Sequence, residues 1–172
     1  MTEDRIRKLA RRLDVLAEED ERRIREEQEL ARLRCDGAFN LYVICSNFVR
    51  NVNAHVTRNR LDLSPAVFKP GLFREGGPNL FQINAAGRII QLAFEATGPL
   101  ITTEEFRTPY TLHGEIRWFN QEALDGMGIH ERQLFLCIRG GQTWWVHFDS
   151  QTHRQGRVDE DYLMDLLEQL VK

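Results

Sequence analysis

Five histidines (His55, His113, His130, His147, His153) and three cysteines (Cys35, Cys45, Cys137) are the side chains here best suited to hold a metal or move a proton. Their spacing offers little. No two histidines stand at the separation of a helical metal pair, and neither HExxH nor HxxxH occurs. Three cysteines without CxxC spacing make neither a disulfide framework nor a cysteine-rich zinc site. Cys45, on an apolar helical face, and Cys137, inside a β-like run, read as buried small hydrophobes. One polar cluster remains. His113 and Glu115 share a strand face, and His147 falls on another strand of the same expected sheet. With those strands adjacent and in register, the three would form a metal or acid–base site.

Other chemistries lack their parts. There is no GxSxG and no cysteine in an electropositive setting. The glycines of residues 71–78 are followed by no Lys-Ser/Thr, and Pro78 removes an amide that a phosphate cradle would use, so a P-loop and GxGxxG are both absent. The acidic runs at 18–21 and 159–161 do not have calcium-loop spacing. No catalytic residue, metal or cofactor is expected.

Trp118, Phe119, Trp144, Trp145 and Phe148 form an aromatic set in the β-rich part. Adjacent Trp144 and Trp145 must point to opposite sides of a strand, one toward helices and one away. An outward ring could stack on bases, but the formal net charge of −3 gives no basic footprint for nucleic acid. A protein interface or a pocket wall is the expectation, with Phe39, Tyr42, Trp118 and Trp145 as wall residues between a curved sheet and a helix.

The elements that must position these residues begin with an unusual segment. Residues 1–34 hold ten Lys/Arg and ten Asp/Glu, with no Gly or Pro. Ile6, Leu9, Leu13 and Leu16 follow the 3-4-3 spacing of a coiled-coil seam over two heptads, which Asp20 and Glu27 then interrupt. Opposite charges four apart, such as Glu3–Arg7, Asp4–Lys8 and Glu19–Arg23, support an exposed helix but bury nothing. A second amphipathic stretch spans 37–58, with Phe39, Tyr42, Cys45, Val52 and Val56 on a broad apolar face. Gly37 marks a break after an Asp36 cap, or is tolerated within one long helix.

Beyond Ser64-Pro65 the pattern turns to period two. An edge strand is expected within 66–73, ended by Pro70-Gly71. Strands at 80–84 and 88–95 form a hairpin around Ala85-Ala86-Gly87, and Gly98-Pro99 ends the run. Residues 110–119 alternate: Tyr110, Leu112, Gly114, Ile116 and Trp118 take one face, Thr111, His113, Glu115, Arg117 and Phe119 the other. A turn or short helix at 122–127 precedes a hairpin of 133–139 and 142–149, closed by Gly140-Gly141 with the positive φ such turns need. An amphipathic helix at 158–171 ends the chain, with Asp159, Glu160 and Asp161 in its first turn.

The expected fold is α+β: a long N-terminal helix or two consecutive ones, a five- or six-stranded antiparallel meander, and a C-terminal helix packed on one face. The order of elements is similar, in architecture alone, to helix-grip ligand-binding folds. Residues 1–35 read as an association element and 36–172 as one domain. The chain carries no apolar run of membrane-spanning length, and it is charged from Glu3 onward where a secretory signal would be apolar. The expectation is a non-catalytic cytoplasmic protein, working as a homodimer or with another protein through Ile6, Leu9, Leu13 and Leu16. The alternative is a small-molecule-binding domain.

Overall fold

The computed structural model describes residues 1–122 and 128–172. The chain divides into two compact units, Met1–Leu33 and Arg34–Lys172. One helix, α1 (Thr2–Asn53), supplies nearly all of the first unit and the opening of the second. The expected break at Asp36-Gly37 does not occur. A Cβ on Gly37 would stand 2.3 Å from Leu136 Cδ2, and the Gly37 carbonyl accepts a 2.7 Å bond from Trp145 Nε1. Glycine is present because helix backbone lies directly on the sheet, and that contact outweighs a propensity cost of about 1 kcal/mol. The helix stops at Asn53, short of the expected 58. The Asn53 amide clasps Leu61, accepting from its N–H at 2.7 Å and donating to its carbonyl at 2.9 Å.

Among the described residues seven strands follow: β1 (Asp62–Ser64), β2 (Asn79–Ala85), β3 (Arg88–Ile101), β4 (Tyr110–Asn120), β5 (His130–Arg139), β6 (Gln142–Phe148) and β7 (Gln155–Arg157). They pair in sequence order, each antiparallel to the next. The meander is as expected; the extra strands are β1 and β7, three residues each and too short to show a period. No strand forms at 66–73, where Pro70–Leu72 make a 3-10 turn. Both hairpin turns use left-handed backbone. Gly140 and Gly141 lie at φ 58° and 74°, and the first hairpin closes on the two residues Ala86 and Gly87 (φ 52° and 86°) between the paired Ala85 and Arg88. The expected element at 122–127 lies, from Ala123 to Met127, outside the described residues.

Strand β3 continues through Gly98-Pro99, and its pairing with β4 shifts register between Ala96 and Ile101. On the other side of β4, Tyr110 opposes Cys137 while Leu112 opposes Leu136, so two steps along β4 match one along β5. This bulge at Thr111 reverses the alternation. Leu112, Ile116 and Trp118 join the main core, as expected, but Tyr110 turns to the opposite face.

The main core lies between the sheet and the two helices. Leu41, Cys45 and Phe48 of α1 and Leu163 and Leu166 of α2 (Glu160–Val171) meet Ile90, Leu92, Leu134 and Leu136 of the sheet. Asp159 caps α2, its carboxylate accepting from the Tyr162 N–H at 2.8 Å, so it precedes the first turn it was expected to occupy. On the outer face a second cluster joins Tyr110, Phe135, Cys137, Val146 and Phe148 beneath Phe106, which the β3–β4 connection brings over the strands. Phe106 stacks on Phe135 at 4.4 Å. Among the described residues, no helix is long and apolar enough to cross a membrane.

Candidate functional site

The apolar stripe of the first unit stays in solvent. Ile6, Leu9, Leu13 and Leu16 are 54–60% exposed, and Ile24 is 50% exposed. What holds this helix is local: Glu3 with Arg7 at 3.0 Å, Asp20 with Arg23 at 3.1 Å, and Glu29 with Arg32 at 2.6 Å. Such pairs steady an isolated helix without creating a core.

The expected wall residues are used differently. Tyr42, Trp118 and Trp145 are buried in the main core, and each polar tip is satisfied inside the chain. The Tyr42 hydroxyl shares its proton between the Pro65 and Ala66 carbonyls, at 2.9 and 2.8 Å. Trp118 Nε1 donates to Gln169 Oε1 at 3.0 Å, and Trp145 to Gly37 as described. Trp145 also edges a groove of about 190 Å³ with Ile44, Trp144 and Arg157. Phe39 is 37% exposed. Of the rest of the aromatic set, Phe148 lies under Phe106, and Trp144 packs at the rim of that cluster with the Arg157 guanidinium 5.6 Å above its ring.

The expected polar cluster does not converge, because the sheet lies between its members. His113 pairs across from Phe135, which belongs to the outer cluster, and Glu115 lies two residues further along the same face. His147 alternates with the outward Val146 and Phe148, so it points toward the helices. There its ring stacks flat on Tyr162 of α2, with centroids 3.8 Å apart and planes 3° from parallel. Gly156, its partner on β7, leaves room for it, since a Cβ there would stand 2.7 Å from His147 Nε2. Burial lowers the His147 pKa below its ordinary value; the Arg132 charge adds to this and Asp159 opposes it. The Tyr162 hydroxyl is buried with no hydrogen-bond partner among the described residues, and burial raises its pKa to about 12.

On the outer face His113 and Glu115 help to line a cleft of about 700 Å³ with Glu95, Glu131, Gln133 and Asp149. His113 Nε2 lies 3.5 Å from Glu95, and the Arg117 guanidinium lies between Glu115 at 3.0 Å and Glu131 at 3.6 Å. Gly114 forms part of the floor, where β4 comes so close to β3 that a Cβ would stand 1.8 Å from the Ala93 carbonyl oxygen. Among the described residues, no three His, Cys, Asp or Glu side chains gather to hold a metal ion.

One polar centre was missed in the sequence. Arg34 is buried, and its guanidinium spans the β3–β4 irregularity. Nε donates to Thr111 Oγ1 at 2.6 Å, and Nη2 donates to the carbonyls of Thr97 and Gly98 at 2.9 and 2.5 Å. Nη1 pairs with Glu75. These bonds supply donors to carbonyls in the stretch of β3, between Ala96 and Ile101, that has no register partner on β4, which is a physical reason the irregularity can persist here. The only sequence signal was its position, the last Lys or Arg before the helix turns apolar. Compared with family models, with curated proteins and with solved structures, the chain matches none.

Proposed function

We propose that the protein acts by association, with residues 1–33 pairing with those of a second copy, and that it has no catalytic role. The observation that carries this reading is the exposure, above half for each, of Ile6, Leu9, Leu13 and Leu16 on a helix stabilised by its own ion pairs. Apolar side chains at coiled-coil spacing gain from burial, and a second copy presents the same seam. The free thiols of Cys35, Cys45 and Cys137 support a reducing, cytoplasmic setting.

Sedimentation of the full chain at about 100 μM, where even a micromolar association is saturated, is expected to give a dimer mass. The double variant Leu9→Glu/Leu13→Glu is expected to be monomeric while its tryptophan emission stays native, since Trp118, Trp144 and Trp145 all lie in the second unit. A monomeric mass for the unaltered chain would end this reading.

A second reading, binding of a small molecule, has the outer-face cleft in its favour, whose volume falls within the usual range of ligand sites. The His113 imidazole reports on that cleft by NMR. Titration with a panel of small amines and zwitterions is expected to move its resonances, and no movement with any of them would remove the reading.

A further inference from the structure

We infer that the two copies pair antiparallel, with Ile6 layered on the partner's Leu16 and Leu9 on the partner's Leu13. This rests on the association reading above and specifies its geometry. With Ile6, Leu9, Leu13 and Leu16 as the seam, Arg5, Arg12 and Glu19 recur every seven residues along one flank, each one residue before a seam position. All three are exposed and, among the described residues, none has an ion pair within its own chain, whereas Glu3–Arg7, Asp20–Arg23 and Glu29–Arg32 are paired. The other flank carries Ala10 and Ala17, which are small and uncharged.

Orientation decides what these charges meet. In an antiparallel pair this flank faces its own copy in reverse order. Arg5 then meets the partner's Glu19, Glu19 meets the partner's Arg5, and one like-charge contact, Arg12 with the partner's Arg12, sits at the centre. In a parallel pair the charged flank faces the opposite flank, so Arg5 and Arg12 meet only the partner's Ala10 and Ala17, and no ion pair forms. The seam's end points the same way. In parallel register Asp20 lies against the partner's Asp20 and Glu27 against the partner's Glu27, two like-charge layers directly beyond the leucines. Antiparallel pairing sets Asp20 opposite the partner's Thr2 and confines contact to the apolar layers. Repulsion in one orientation and attraction in the other is how coiled coils select a partner geometry.

Two experiments on the full chain test this. In a Cys35→Ser background, Leu9→Cys and Leu13→Cys are made separately, then oxidised alone and as a mixture. Antiparallel pairing is expected to give the 9–13 cross-link only in the mixture, whereas a cross-link within either variant alone overturns the orientation. Dissociation constants supply the second test. Arg5→Glu is expected to weaken dimerisation about tenfold, since two attractive contacts become repulsive, and Arg5→Glu/Glu19→Arg to restore it. A double variant no tighter than the single one overturns the orientation even where dimerisation holds. A monomeric unaltered chain instead refutes the association reading itself.

Discussion

The two units of this chain are stabilised by different means. Met1–Leu33 relies on neighbours three and four residues away, and Ile6, Leu9, Leu13, Leu16 and Ile24 remain in water. Arg34–Lys172 relies on partners distant in sequence: Arg34 with Thr97 and Thr111, Trp145 with Gly37, Trp118 with Gln169. A helix can be locally satisfied and still have unburied surface, whereas a meander closes its cores only when its distant contacts form together. Substitutions should therefore act on assembly in the first unit and on folding in the second.

The sharpest way to break the second unit is Gly114→Ala. The new methyl group meets backbone on β3, so strands rather than side chains must move, and a loss of at least about 3 kcal/mol in urea unfolding followed by tryptophan emission is expected. Arg34→Ala is expected to cost about 3 kcal/mol by the same measurement, because it leaves the bulge carbonyls of Thr97 and Gly98 without donors. Arg34→Lys should recover only part of that, since an ammonium cannot reproduce the planar fork.

His147 probes the contact between α2 and the sheet. Its folded-state pKa is depressed, so its contribution is complete above the ordinary value of about 6.5 and is lost as pH falls through the lower folded-state value. Thermal unfolding of the unaltered chain is expected to weaken through this window. His147→Phe, which keeps a ring against Tyr162, is expected to show a shallower fall. Tyr162→Phe removes a hydroxyl with no hydrogen-bond partner among the described residues and should be neutral or stabilising by up to about 1 kcal/mol. The smallest effect belongs to the first unit. Glu3→Gln breaks the pair with Arg7, and its effect on unfolding should stay within about 0.5 kcal/mol. A large loss there would show that the contrast between the units is drawn wrongly.

Much of the fold was legible because its signals are local. Gly140-Gly141 announced a hairpin through its φ requirement, the period-two runs announced β2 through β6, and the 3-4-3 spacing announced the first helix. What failed to read depended on neighbours distant in sequence. Tyr110 follows the alternation of β4 on paper, but the bulge at Thr111 turns it to the outer face. Gly37 resembles a helix break until Leu136 and Trp145 are seen against it. His113, Glu115 and His147 are plausible partners in one dimension, and the sheet separates them in three. Cys45 and Cys137, as expected, are both buried.

Composition and periodicity alone determined the α+β class, the order of helices and strands, and a charged helix with a narrow apolar seam, because each follows from side chains within a few residues of one another. Tertiary structure decided which faces the residues occupy. It made Tyr42, Trp118 and Trp145 core, buried Arg34 at a bulge, and opened the cleft beside His113. A one-residue shift in strand register exchanges every face, and register is set by pairing between strands, which no local pattern records.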